Sequence, residues 1–275
     1  MKKRVISALA MLPLLLVVYV GGRTLLAVCL AVGAAAVTEF FRAFEAKGVR
    51  PSKAVAYVFL CLLYLANAFW PTFSAWGPGG GAAAEGRLYA LWVVAAVAAS
   101  FIGMFKAEEG GAEDGLATAA GLLYIGFFSF HVALADQLPD GLLKWLIFIT
   151  AFGTDIMAFL VGSALGKHKL CPWISPKKTV EGAVGGLIGS VAFCVLFGAL
   201  FMPHALAHCA AIGVLGGVAA QLGDLTASVF KRKLGVKDYG DLIPGHGGVM
   251  DRADSLLFTA PVVYYYGALV LGGLS

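Results

Sequence analysis

Long apolar runs of about 20 residues recur from one end of the chain to the other, and short polar clusters separate them. Nine runs stand out, at 5–20, 24–44, 54–71, 88–105, 116–134, 142–165, 181–203, 207–230 and 251–273. Their length is what a helix needs to cross a bilayer core. Backbone groups in lipid must be hydrogen-bonded within the spanning structure, which leaves helices or a closed barrel. The runs lack the period-two alternation of barrel strands. The pattern therefore predicts an all-α, polytopic membrane protein of about nine transmembrane helices.

Composition agrees and adds orientation. The chain is 60% hydrophobic and 13% charged, with a mean hydropathy of +0.87, which excludes a water-soluble domain. With the N-terminus in the cytoplasm and nine alternating spans, one side collects Lys2, Lys3, Arg4, the basic residues of 42–53, Lys106, those of 167–178 and 231–237, and Arg252. Only Arg23, Arg87 and Lys144 fall on the other side. That asymmetry is the positive-inside pattern, and it places the basic loops in the cytoplasm, at the inner membrane of a bacterium. The net charge of +4 then reflects topology and anionic lipid headgroups, not nucleic acid. The opening "MKKRVISALAMLPLLLVVYVGG" has no prompt small-residue cleavage site and reads as an uncleaved first span. Five scattered cysteines without CxxC spacing read as free thiols.

The two halves differ in kind. Residues 1–135 hold five plain spans with simple loops, whereas 136–275 place polar residues inside helices and carry the cytoplasmic loops 166–180 and 231–250. Two glycine-rich stretches resemble phosphate loops without meeting their requirements. "WGPGGGAAAEGR" has no GK[ST] ending and reads as a connector. "GSALGKH" is one residue short and has histidine where a magnesium-binding hydroxyl belongs.

The candidate chemistry lies in the second half. Gln221, Asp224, Ser228 and Lys231 are spaced 3, 4 and 3 apart, so they share one helix face. An aspartate near mid-membrane costs roughly 2.5–3.5 kcal/mol on insertion scales, so Asp224 and Asp155 mark function or a specific partner. Asp251 and Asp254 share a face at the start of the last span. Asp251 also suits simple capping of that helix. Three carboxylates, Asp224, Asp251 and Asp254, are expected to converge at the cytoplasmic interface as an Mg²⁺ site, since that ion takes one or two carboxylates plus substrate phosphates. Gly245, Gly247 and Gly248 let backbone N–H groups approach an anion. Arg252 can fork onto phosphate oxygens, Lys231, Arg232, Lys233 and Lys237 supply positive charge, and His246 lies among the glycines. The loop "GKHKLCPWISPKKTVEG" adds Lys167, Lys169, Lys177 and Lys178, with Glu181 opening the next helix. Gly182, Gly186 and Gly185, Gly189 have the GxxxG spacing of close helix packing.

Residues 228–254, "SVFKRKLGVKDYGDLIPGHGGVMDRAD", resemble the signature of the phosphatidate cytidylyltransferase (CDP-diacylglycerol synthase) family, S-x-x-K-R, four residues, K-D, then P-x-H-G-G-x-x-D-R-x-D. Every anchor is present; Ala253 is smaller than the residue usual there. "GTDIMAFLVGSALGKHKLCPWISPKKTVEG" at 153–182 is similar to the family's second conserved region. The resemblance implies transfer of CMP from CTP to phosphatidate, with Mg²⁺ required and a second cation of unstated identity in view. It implies that Asp224 and Asp251 hold the metal, supported by Asp254 and Ser228. Lys231, Arg232, Lys237, His246 and Arg252 would bind phosphates, Lys177 and Lys178 would close over the substrate, and Asp155 would line the cavity. A homodimer is also implied. A transporter is the rival from another class, but the charge is concentrated on one face. A CDP-alcohol phosphotransferase would need a DGxxAR stretch, which is absent.

Overall fold

The computed structural model describes residues 12–74, 82–102, 111–242 and 247–271. Helices occupy the positions the apolar runs mark. They are α1 (Leu12–Val20), α2 (Gly22–Glu45), α3 (Lys53–Ser74), α4 (Ala82–Ile102), α5 (Ala112–Asp136), α6 (Leu143–Leu165), α7 (Val180–Phe201), α8 (Leu206–Leu234) and α9 (Met250–Tyr266). A π-turn, Gly267–Leu271, extends α9. Six of the described helices are long and apolar enough to cross a membrane, namely α2, α5, α6, α7, α8 with its preceding 3₁₀ turn, and α9. Lys53–Phe69 and Gly86–Ile102 are shorter apolar segments. The chain is thus an all-α, polytopic membrane protein. Of the expected "WGPGGGAAAEGR" connector, 76–81 lies outside the described residues, and 82–87 is the start of α4 and not loop.

One element was not anticipated. Between α6 and α7 the chain folds into a two-stranded antiparallel hairpin, β1 (Lys169–Cys171) and β2 (Ser175–Thr179), with Lys169 opposite Thr179. Trp173 at its tip is 95% exposed. Glu181 orders the base, accepting from the N–H groups of Lys167 (3.0 Å) and His168 (3.2 Å) and pairing with His168 Nδ1 at 2.6 Å. Within "GSALGKH", 162–165 is the last turn of α6, and the N–H groups of Lys167 and His168 are held by this carboxylate. Thr179 Oγ1 caps α7 by accepting from the Gly182 N–H at 3.1 Å.

Small residues bring the helices of the second half together. A Cβ on Gly186 would lie 2.9 Å from the Thr154 carbonyl oxygen, and one on Gly182 2.8 Å from that of Ala158, so α6 and α7 meet backbone to backbone. Gly213 touches Val191, and Ser190 Oγ donates to the Gly213 carbonyl at 2.9 Å, which fastens α7 to α8. Gly223 lies directly against the Asp254 carbonyl, joining α8 to α9.

The antiparallel order of these helices sorts the loops into two groups. The hairpin, the 235–249 connection and the α2–α3 turn share one end. There the Arg50 N–H donates to Asp114 (2.7 Å) and the Ser52 N–H to Thr118 (2.8 Å). At the opposite end, Lys144 pairs with Asp136 at 2.5 Å, both side chains nearly buried, and Asp136 accepts from the Gly22 N–H. Gly21 (φ 64) and Gly22 (φ 55) make the break between α1 and α2 at this point, a conformation L side chains rarely adopt. Lys144, an exception to the basic asymmetry, is thus neutralised within the bundle.

Substituting Gly186 by Val forces two backbones apart, and overpacking of this kind costs about 1–3 kcal/mol. The melting temperature in detergent should fall. Gly86→Ala, at a position with open space around it, should leave it unchanged.

Candidate active site

The stripe read from the α8 sequence faces inward as its spacing requires. Gln221 Nε2 donates to the Ala183 carbonyl on α7 at 3.0 Å. One turn on, Asp224 is half-buried, ion-paired with Lys178 from β2, and 3.4 Å from the hydroxyl of buried Ser228. The hairpin is thus drawn back over α8. Arg232 tightens the same contact, its Nε donating to the Ile174 carbonyl at 3.1 Å.

Asp155 on α6 and Asp254 on α9 complete this centre. Asp254 is 8% exposed; its Oδ1 accepts from the Ser255 N–H (2.9 Å), while the Ser255 hydroxyl donates to Asp155 Oδ2 (2.9 Å). Asp254 lies within electrostatic reach of Asp224, Asp155 and Lys231, and Asp155 within reach of Asp224, Lys178 and Arg252. Asp155 is exposed on the surface of α6, beside Ser255. Arg252 is exposed within electrostatic reach of Asp155, and Lys177 on β2 and Lys237 on the 235–249 connection are exposed.

Asp251, three residues before Asp254 on α9, is held by Lys231 and by the loop. Its Oδ1 is 2.9 Å from Lys231 Nζ, and its Oδ2 accepts from the N–H groups of Tyr239 (2.8 Å) and Gly248 (3.0 Å). Both side chains of the Lys231–Asp251 pair are largely buried, at 13% and 2% exposure. One oxygen therefore ties together the two stems of the 239–250 connection. The Lys231 ammonium also lies 5.6 Å from the centre of the Tyr239 ring. The Tyr239 hydroxyl donates to the Ala227 carbonyl at 3.0 Å, and burial, with Asp251 and Asp254 nearby, pushes its pKa up, so it remains a donor.

Lys231 links the carboxylates of α9, pairing with Asp251 and lying within electrostatic reach of Asp254. Asp155 joins Asp224 and Asp254, and Asp251 braces the loop. Gly247 has φ 82, where glycine is strongly favoured, and the Gly248 N–H donates to the Asp251 carboxylate. His246 and Gly245 lie outside the described residues. Among the described residues no three potential ligating side chains stand together in a metal-binding arrangement. The donors nonetheless suit a hard cation. Asp224, Asp254 and Asp155 offer carboxylate oxygens, and Mg²⁺ needs only one or two from protein when phosphates and water supply the rest.

Comparison with known proteins fits this geometry. The chain is 37% identical over 254 residues to a phosphatidate cytidylyltransferase of Synechocystis, covering 85% of this chain and 84% of that protein. It is 31% identical over 273 residues to the phosphatidate cytidylyltransferase of Bacillus subtilis, covering 98% of each. A Brucella abortus protein of the same name is 40% identical over 154 residues, 55% of this chain and 57% of that one. Residues 2–270 match the profile of the cytidylyltransferase family, and the chain belongs to that family.

Proposed function

We infer that the protein is a phosphatidate cytidylyltransferase: it transfers CMP from CTP to phosphatidate, giving CDP-diacylglycerol and pyrophosphate. The observation that carries this is the juxtaposition of Asp155, Asp224 and Asp254 with Lys178 and Arg252, inside an apolar bundle of a cytidylyltransferase-family chain. A phosphate-bearing substrate with lipid tails needs such a place, polar at one end and open to the membrane along its length.

A phosphatidate oxygen attacks the α-phosphorus of CTP, a P–O–P bond forms, and the bond to the β-phosphate breaks. The nucleophile is already anionic near neutral pH, so the protein's tasks are alignment and charge neutralisation, not proton removal. Arg252, Lys177, Lys178, Arg232 and Lys237 supply cations for the phosphates. Lys231 has three donors; one holds Asp251 and the others can reach a phosphate. Asp224, Asp251 and Asp254 are the proposed carboxylates for Mg²⁺, with Ser228 behind Asp224 and Asp155 lining the cavity. The ion, when bound, would offset charge building on the transferred phosphoryl group. His246, Gly247 and a second cation remain part of the same proposal. The end bearing the hairpin faces the cytoplasm of the bacterial inner membrane, and the working assembly is a homodimer, which mass measurement in nanodiscs tests.

Purified protein in mixed micelles with labelled CTP, phosphatidate and Mg²⁺ should form CDP-lipid, and EDTA should stop it. Asp224→Asn should abolish turnover while the protein stays folded; normal activity in that variant would overturn the metal assignment. Asp251→Ala should behave differently. It strands a largely buried lysine, and breaking such a pair costs about 3–5 kcal/mol. Its melting temperature should therefore drop well below that of Asp224→Asn. For orientation, a cysteine placed at Trp173 in a cysteine-free background should react with an impermeant maleimide only in inside-out vesicles. Labelling from the outer face would reverse the topology.

A further inference from the structure

The half of the chain without apparent chemistry places one carboxylate against the catalytic helix. Glu39, on α2, is 5% exposed. Its Oε1 accepts from the Val249 N–H at 3.0 Å and its Oε2 from the Met250 N–H at 2.9 Å. These are N–H groups at the very start of α9, which have no carbonyl partner within the helix. Val249 at the N-cap position supplies no side-chain cap. A charge more than 200 residues away in sequence therefore caps α9, aided by the helix dipole and by charge-assisted hydrogen bonds.

The surroundings of Glu39 are built to let it in. A Cβ on Gly240 would lie 2.6 Å from Glu39 Oε1, and one on Gly248 would meet Oε2 still more closely. Phe40, the next residue, packs its ring 5.9 Å from Tyr239 and 5.2 Å from Phe230, centre to centre. Glu39 and Asp251 thus act on the same segment from two directions. Asp251 joins the stems at Tyr239 and Gly248, and Glu39 seats them on α2 at Gly240 and at 248–250. Arg252 follows in the first turn of α9 and Asp254 just beyond it.

We propose that Glu39 is a positioning residue of the catalytic centre, latching the N-terminus of α9 and the stems of the 239–250 connection to the N-terminal helices. It touches neither substrate nor metal. It fixes the height and rotation of the turn that presents Arg252 and Asp254, where a displacement of about 1 Å can reduce turnover on the order of 100-fold. The role assigned to that turn rests on the cytidylyltransferase reading.

The test combines kinetics with hydrogen–deuterium exchange on full-length protein in detergent. Glu39→Ala should lower kcat/KM for CTP by about 10-fold to 100-fold, with Glu39→Gln, which keeps one acceptor oxygen, falling between it and the wild type. Exchange in Glu39→Ala should accelerate at 239–242 and 247–255 and stay unchanged in α6 and α7. Gly240→Ala, which crowds the carboxylate without removing it, should impair turnover, and the Glu39→Ala/Gly240→Ala double variant should lose less than the sum of the two. Wild-type kinetics in Glu39→Ala, additive losses in the double variant, or acceleration spread over the whole protein would each overturn the latch. Should the wild type itself make no CDP-lipid, the functional reading fails, and the exchange pattern alone decides whether Glu39 holds the connection.

Discussion

A carboxylate inside an apolar bundle persists only where something nearby answers its charge, and the architecture of this protein follows from how each one is answered. Asp136 has Lys144 and a backbone N–H at one end of the bundle. At the other end Asp251 has Lys231 and two N–H groups, Glu39 has two N–H groups, and Asp224 has Lys178. Each carboxylate joins separate elements, and Asp136 and Glu39 reach partners more than 100 residues away. The desolvation of a buried charge is large enough that losing either partner is strongly destabilising, whatever the net worth of the pair. The carboxylates therefore work as fasteners as well as candidate ligands.

Small residues make those pairings reachable. A salt bridge or short hydrogen bond needs its partners within about 3 Å, and side chains of ordinary size would hold α6, α7, α8 and α9 too far apart. Gly182 and Gly186 remove that spacing between α6 and α7, and Gly223 removes it between α8 and α9, beside Asp254 itself. Packing and chemistry are thus set by the same residues.

Much of this was legible in the sequence because it is local. Apolar run lengths marked the helices, and 3.6-residue periodicity put Gln221, Asp224, Ser228 and Lys231 on one face. The division of labour among carboxylates was not legible. Asp251 and Asp254 share a face by spacing, yet one turns to Lys231 and the loop stems while the other turns toward Asp155 and Asp224. Asp251 shows both sides of this: its place at the start of α9 is local, whereas its bonds to Lys231 and the Tyr239 N–H reach another helix and the far stem of the loop. The reach of Glu39 to α9 has no local signal at all, because its partners are backbone N–H groups 210 and 211 residues along the chain. The hairpin of 169–179 escaped notice for a related reason: its strands are short and basic, with little apolar alternation.

The ion pair between Lys178 and Asp224 couples two kinds of ligand. On the proposed function, a phosphate that took Lys178 would free Asp224, and a cation that took Asp224 would free Lys178. Either arriving alone would leave one half-buried charge without its partner. By linkage each would strengthen the other's binding to the same degree. A polyphosphate carrying its own cation would exchange both partners at once and leave none unanswered. The pair would then act as an electrostatic AND gate that favours the metal–nucleotide complex over either component.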